Sequence, residues 1–349
     1  MITGGGKSGR IIEWNQDYQK TGRCLQIPEQ NGSCRIISNG KGNNLFLIGT
    51  TKNCIFQANF DLSYMNCIVN GHDGELWGLA CNPRSQSLFL TCGNDKNLVY
   101  WDSLSHSQIS STQFDDALHC VHIHPLFDLA AVGLTGKPKW VVFDLNERKI
   151  VYTQIEGSEQ IECISYSPSG TYLACGSRDN YIYIYSVNET GLKYSRIGRC
   201  SGHSSFITHL DWSIDSEFLM SNSGDYEILV WNVQTCKQVT QVQQLRDLIF
   251  ATNTCVLSQN TLGIWQNGYD GTDVNASAAS FSSKLLCCVD DIGKVNLFTY
   301  PCNATKAEKR SYQGHSSHVT NVTFINNDSR LITTGGNDMA ILQWSITSE

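Results

Sequence analysis

A pattern of just over thirty residues recurs along this chain, and an internal repeat limits the possible folds more than any other feature. Three copies agree closely. "GHDGELWGLACNPRSQSLFLTCGNDKNLVYWD" runs over 71–102, "GHSSFITHLDWSIDSEFLMSNSGDYEILVWN" over 202–232, and "GHSSHVTNVTFINNDSRLITTGGNDMAILQW" over 314–344. Each reads as Gly-His, an alternating apolar strand, a turn, a second strand, an Asp turn, and a third strand ending in Trp. Weaker copies end at Gln57, Phe143, Tyr185 and Phe298. The closing positions 57, 101, 143, 185, 231, 298 and 344 are spaced 44, 42, 42, 46, 67 and 46 apart, so only one of the gaps is oversized. No window carries a helical period. A single unit cannot bury both its faces, so the units must pack side by side around an axis, which also protects their sheet edges.

The Gly-His to Trp-Asp pattern is similar to the WD40 blade, whose repeat is about 40–45 residues long. The expectation is an all-β WD40 β-propeller of seven blades. The oversized gap holds 244–273, read as an apolar strand pair followed by a Gly- and Asp-rich loop, Asn267, Gly268, Tyr269, Asp270, Gly271, Thr272 and Asp273. Loops on a rigid scaffold commonly carry recognition, which makes this one a candidate partner-binding loop.

The opening "MITGGGKSGRIIEWN" poses a separate question. Gly6-Lys7-Ser8 resembles the end of a phosphate-binding loop, but that loop needs a glycine five residues earlier, where Met1 stands, and a helix afterwards. A hairpin fits better. Gly4–Gly6 aligns with the "TTGGN" turn of the last repeat, and Trp14 falls 43 residues before Gln57. Residues 1–16 are therefore expected to be a partial extra blade, exposed and weakly anchored, with the seven-bladed ring over 17–349; eight-bladed closure is the alternative. "TGRCLQIP", 21–28, is the expected outer strand that clamps the closing strand at 339–344.

Composition narrows the function. Of 349 residues 41% are hydrophobic and 16% charged, as in an ordered globular protein, and the net charge of -7 argues against nucleic-acid binding. The basic groups Lys193, Arg196, Arg199 and Lys306, Lys309, Arg310 read as solvated surface. Fifteen cysteines sit mostly inside apolar runs such as "LLCCVDD", as small hydrophobes in a reducing, intracellular compartment. No secretory signal and no apolar run long enough to span a membrane is present, and six Asn-x-Ser/Thr sequons therefore carry little meaning.

Each strong copy holds His, Ser or Thr, and Asp at fixed offsets before its Trp: His72, Thr91, Asp95 and Trp101; His203, Ser221, Asp225 and Trp231; His315, Thr334, Asp338 and Trp344. Such sets could pass for hydrolytic triads. Their repetition argues instead for structural hydrogen-bond tetrads, Trp to hydroxyl to His to Asp, because a satisfied buried network rigidifies a blade. "HCVHIHP" places His122 and His124 on one strand face and His119 on the other, without a completing carboxylate or thiolate set for a metal. No catalytic, cofactor or metal site is expected.

Several phrases go further. "GHSSFITHLDWS" with "SNSGDYEILVW", "ELWGLA" with "TCGNDK", "GTDVNA" with "DDIGKVNLFTYPC", and "GHSSHVTNV" with "TTGGNDMAILQW" together resemble the second propeller of the echinoderm microtubule-associated protein-like (EMAP-like) family. The resemblance covers essentially the whole chain. It implies a non-enzymatic, cytoplasmic, cytoskeletal WD-repeat protein that binds tubulin or microtubules and other proteins, acting as a monomer without nucleic acid, membrane or small-molecule substrate. A generic scaffold for another complex is the alternative. Family members also carry a coiled coil, a basic linker, a HELP motif and a first propeller, which this sequence does not display.

Overall fold

The computed structural model describes residues 1–40, 44–246, 248–266, 273–305 and 307–347. These form eight antiparallel sheets, with one five-residue helix, Val242–Arg246, and two short 3-10 turns. The chain divides into two compact units, Met1–Asp73 and Gly74–Glu349.

The first unit holds two sheets. Ile2–Gly4, Arg10–Trp14 and Lys20–Gln26 form the first, and four strands over 34–70 form the second. Ile11, Ile27, Phe46, Ile48 and Phe56 are buried together as their core. The opening is a hairpin, as expected: Thr3 lies opposite Ile12 and Gly4 opposite Ile11, and the Trp14 indole N–H donates to Thr3 Oγ1 at 2.7 Å. The expected outer strand is in a different place. Lys20–Gln26 pairs with Arg10–Trp14, so a boundary between residues 16 and 17 cuts through one sheet. The reason is local. Asn15 Oδ1 accepts the amides of Asp17 and Gln19, both at 2.9 Å, closing a short turn at small entropic cost. The last sheet, over 319–345, correspondingly has three strands.

The second unit arranges six sheets around an axis, over 76–113, 118–155, 161–201, 207–238, 274–313 and 319–345. Their innermost strands are Leu76–Cys81, Leu118–Ile123, Ile161–Tyr166, Ile207–Trp212, Val274–Ala279 and Val319–Ile325. Alternation sends one side of each strand into the seam with its neighbour, as with Val121, Val132, Val141 and Phe143 against Leu90, Cys92 and Leu98. The ring closes where Leu79 and Phe89 pack on Ile325 and Ile332, each side chain worth about 1.5–3 kcal/mol when buried. Polar bonds latch the same seam: Gln343 Nε2 and Arg330 Nη1 both donate to the Ser103 carbonyl at 3.0 Å. This is a β-propeller.

Between the 207–238 and 274–313 sheets the described residues form no further sheet. The strand pair expected in the oversized gap is replaced by an extended segment, 250–257, touching the inner strand of the 207–238 sheet through the single bridge Ser213–Phe250. Its amides are taken by side chains instead of a ladder. Asp211, fully buried, accepts the Thr254 amide at 2.9 Å, the Cys255 amide at 2.8 Å and the Thr252 and Thr254 hydroxyls. Asn222 makes a reciprocal pair with the backbone of Leu257, 2.8 Å each way. On the other side, the Ser277 hydroxyl donates to the Thr254 carbonyl at 3.2 Å. The segment thereby completes the wall between two sheets without pairing as a strand.

Candidate functional site

The sets that end at Trp344 and Trp231 each assemble into a continuous polar chain, and both differ in detail from expectation. In the 319–345 sheet the hydroxyl is that of Thr333, not Thr334. Trp344 Nε1 donates to Thr333 Oγ1 at 2.9 Å, Thr333 Oγ1 lies 2.7 Å from His315 Nε2, and His315 Nδ1 lies 3.0 Å from Asp338 Oδ2. Register decides it: Trp344 pairs with Leu331 and Thr333 with Leu342, so Leu331 and Thr333 share a face with the indole. Thr334 points to the other face, where its carbonyl accepts from Thr320 Oγ1 at 3.0 Å. The sequence is consistent with one orientation throughout, each group donating to the next and His315 Nδ1–H facing the carboxylate.

In the 207–238 sheet Trp231 Nε1 donates to Ser221 Oγ at 2.8 Å, and Ser221 Oγ lies 2.7 Å from His203 Nε2. Here an extra hydroxyl intervenes. Ser223 Oγ is 2.9 Å from His203 Nδ1 and donates to Asp225, which itself accepts the Ser204 amide at 2.6 Å. Burial pushes His203 below the ordinary imidazole value, while Asp225 opposes this. For Asp225, burial alone would raise the carboxyl, but bonds from Ser223 and two backbone amides bring it down to about 2. In the third set Trp101 Nε1 donates to Thr91 Oγ1 at 2.7 Å, and Asp95 accepts the amide of Asn97 at 3.1 Å. His72, in the first unit, is buried, and its carbonyl accepts from Asn53 Nδ2 at 2.9 Å.

The Ser221 and Thr333 hydroxyls each engage an indole as well as a histidine. Ser221 already accepts the indole proton and engages His203 and the Leu229 carbonyl. His203, Asp225 and Glu227 are the one group among the described residues with three metal-type ligand atoms in close range. Both His203 nitrogens already face serine hydroxyls, and Glu227 is exposed. Other sheets substitute different chemistry. In the 161–201 sheet the Tyr185 hydroxyl donates to Glu156 Oε2 at 2.5 Å, and Arg196 Nη1 donates to Glu156 Oε1 at 2.8 Å. The expected solvated cluster is thus partly structural: Arg196 also lies over Tyr183 and Arg199 over Tyr181, 5.1 and 4.3 Å from the ring centres.

The axis of the ring is a cavity of about 610 Å³, lined by the six inner strands and by Thr252, Thr254, Val256 and Leu257 of the strandless segment. Four histidines reach it: His119, His122, His209 and His318. His119 was expected on the opposite strand face from His122. A bulge between Leu118 and Cys120 breaks the alternation and brings both to the axis. His119 Nε2 lies 3.1 Å from Glu162 Oε1, and Arg178 Nε donates to Glu162 Oε2 at 2.6 Å. Burial would raise Glu162, yet these two partners hold its carboxyl down at about 2. Burial drives His122 down to about 4, and its Nδ1 accepts the Tyr166 amide at 3.3 Å. His209 is likewise lowered by burial, its Nε2 set 3.1 Å from the Asn275 carbonyl. His124 leaves the axis and packs on Tyr166 and Phe127. Burial also raises the two axial thiols, Cys120 and Cys163, keeping them protonated.

The expected partner loop lies outside the described residues except for Asp273, whose carbonyl accepts the Asp291 amide at 3.2 Å.

Residues 76–346 match the model of the echinoderm microtubule-associated protein second beta-propeller, almost the span of the ring unit. The chain belongs to the EMAP-like family. It is 49% identical over 347 residues to echinoderm microtubule-associated protein-like 1 of Mus musculus, covering 99% of this chain and 42% of that protein. To the 77 kDa echinoderm microtubule-associated protein of Lytechinus variegatus it is 47% identical over 346 residues, covering 99% and 51%. To echinoderm microtubule-associated protein-like 2 of Homo sapiens it is 46% identical, covering 99% and 52%. The chain thus spans about half the length of these relatives. In this EMAP-like chain no described helix is long and apolar enough to cross a membrane.

Proposed function

We propose that this chain is a non-enzymatic, tubulin- or microtubule-binding platform of the cytoplasmic cytoskeleton. Its relatives are named as microtubule-associated proteins, and their similarity runs through 99% of the chain. The observation that carries the non-catalytic half is the use made of the catalytic-looking residues. Ser221, His203, Asp225 and Thr333, His315, Asp338 spend their hydrogen-bonding capacity on one another and on an indole, which rigidifies a scaffold. Three axial histidines also engage neighbours: His122 accepts the Tyr166 amide, His209 Nε2 faces the Asn275 carbonyl and His119 faces Glu162.

In this reading the ring has seven radial positions, the seventh filled by 250–257, and partners meet loops at a mouth of the axis. The loop Asn267–Asp273 is a further candidate to test beside them, because its sequence departs from the repeat. The chain acts as a monomer and takes no cofactor. Co-sedimentation with microtubules and capture of soluble tubulin by the immobilised chain test the proposal, both at low ionic strength where charge contacts are strongest. Retention in either assay is expected; failure in both rejects the reading.

A further inference from the structure

We propose that the end of the axial cavity where the inner strands begin docks a Lys- or Arg-rich segment of a partner protein. One irregularity, repeated six times, builds this mouth. In each inner strand of the ring, pairing with the second strand shifts between the first and third residues. The residues at these bulges, Trp77, His119, Glu162, Thr208, Asn275 and Thr320, all line the cavity, since a bulge re-aims the side chain it frees. They stand at one level. His119 Nε2 lies 3.1 Å from Glu162 Oε1, Asn275 Nδ2 donates to the Val319 carbonyl at 3.0 Å, and Asn321 Nδ2 donates to the Trp77 carbonyl at 3.4 Å. Neighbouring inner strands are thus tied start to start.

Charge is shared unequally between the two ends. Because the sheets are antiparallel, the segments leading into the inner strands and the turns from second to third strand lie at this mouth. Within 74–345 and apart from 239–273, they contain eleven Asp and Glu but three Lys and Arg, whereas the turns at the other end contain seven and six. The three cations are already engaged: Arg178 with Glu162, Lys137 with Asp116, and Lys96 with the Asp115 carbonyl. An excess of one sign around a concave opening draws in the opposite charge.

Aromatic rings suit the same occupant. Phe206 and Tyr226, from two of these segments, line the cavity and are 39% and 55% exposed. Gly224 leaves room for the Phe206 ring, which a Cβ there would meet at 2.8 Å. Phe206 holds one guanidinium as it stands, that of Arg178, 5.6 Å from its ring centre. Such rings attract a cationic head while the aliphatic stem of Lys or Arg covers them. One residue beyond Thr208, His209 lines the same cavity. Its Nε2 faces the Asn275 carbonyl, and its buried Nδ1 meets no partner among the described residues. With the proton on Nε2, Nδ1 is an acceptor, and Lys and Arg side chains bring donors alone. An acidic segment meets repulsion here, and a neutral apolar one covers carboxylates without supplying counter-charges.

Fluorescence anisotropy of fluorescein-labelled oligolysine and oligoarginine, mixed with the whole chain at low salt, tests the proposal. Both peptides are expected to bind, oligoglutamate is not, and added salt weakens the complex. Asp291 is exposed and lines the cavity, so Asp291→Lys probes the charge, and Phe206→Ala combined with Tyr226→Ala probes the rings. Each variant should weaken binding about tenfold. Glu217→Lys makes the same charge reversal at the opposite end and should leave binding within about twofold. Urea midpoints near that of the parent chain establish that each variant is folded. The proposal is overturned if neither basic peptide binds, if oligoglutamate binds as well as they do, or if Glu217→Lys weakens binding as much as Asp291→Lys. It is also overturned if both mouth variants bind like the parent chain. Tubulin retention is scored separately, so failure here leaves the microtubule reading standing, and the reverse holds too.

Discussion

Replacing Thr333 with alanine tests the register of the last sheet as well as the polar chain built on it. The hydroxyl serves Trp344 Nε1 at 2.9 Å and His315 Nε2 at 2.7 Å, so its removal strands two groups. Stranding a buried polar group costs about 1–3 kcal/mol. His315 is buried and belongs in the middle of that range, at about 2 kcal/mol, whereas half-buried Trp344 belongs near its foot, at about 1 kcal/mol. The lost methyl adds about 0.8 kcal/mol, for a total near 4 kcal/mol. Thr333→Ser keeps the hydroxyl and loses only the methyl, about 1 kcal/mol. Thr334→Ala is the decisive comparison. Thr320 Oγ1 can still donate to the carbonyl of residue 334, so one hydroxyl–hydroxyl contact at 3.1 Å disappears, worth about 1 kcal/mol, and the buried methyl adds about 0.8 kcal/mol, for a total near 2 kcal/mol. Because the chain has two compact units, the readout should be local. Hydrogen exchange of the amides in Arg330–Gly335 and Ile341–Ser345 gives the opening free energy of that sheet in each variant. If Thr334→Ala costs as much as Thr333→Ala, the register argument is wrong.

Three further outcomes follow from the same geometry. Asp211→Asn turns an acceptor for two amides and two hydroxyls into a group half donor, and should cost about 2–4 kcal/mol while speeding amide exchange at Thr254 and Cys255. His122, held down at about 4 by burial, stays neutral in the fold while the unfolded chain takes up a proton near pH 6.5, so stability should fall as pH drops from about 6.5 to 4, by about 3 kcal/mol at most. His122→Gln should flatten that part of a urea-midpoint-versus-pH curve. Glu162, at about 2, acts in the next window: its ion-paired stabilisation is complete above the ordinary carboxylate value and is lost as pH falls through 2, and Glu162→Gln should remove that acid limb.

The repeat was legible because its signals are local. Alternation marked the strands, Gly and Asp marked their turns, and Trp marked the closing strand, so the hairpin at the start and the sheets of the ring could be expected from residues alone. What escaped depended on register or on long-range partners. Aligning the repeats on Asp put Thr334 in the hydroxyl position, but four residues, Thr334-Gly335-Gly336-Asn337, separate Thr333 from Asp338, one more than separate Thr91 from Asp95, and a one-residue slip sends a side chain to the other face. Ser223 entered the His203–Asp225 link because the turn leaves 3.5 Å between imidazole and carboxylate. The bulge that turns His119 toward the axis has no composition signature. The outer strand at 20–26 was assigned to a distant partner by analogy, when five residues and one asparagine cap were enough to fold it back locally.

The segment 250–257 shows how a ring can close where the repeat fails. A strand contributes to such a ring by offering apolar side chains to both seams and by having its own amides satisfied. The segment 250–257 retains the first property: Cys255 and Val256 are buried, and Val256 joins a cluster with Val274, Leu286 and Phe298 of the following sheet. It lacks the second, having no pairing strands of its own. Asp211 and Asn222 supply the missing acceptors and donors from the preceding sheet, and Ser277 does so from the following one. A buried carboxylate is normally costly, but one that accepts four hydrogen bonds has exchanged water for a full set of partners. Closure at this point therefore rests on the side chains of Asp211, Asn222 and Ser277 where a ladder would otherwise serve.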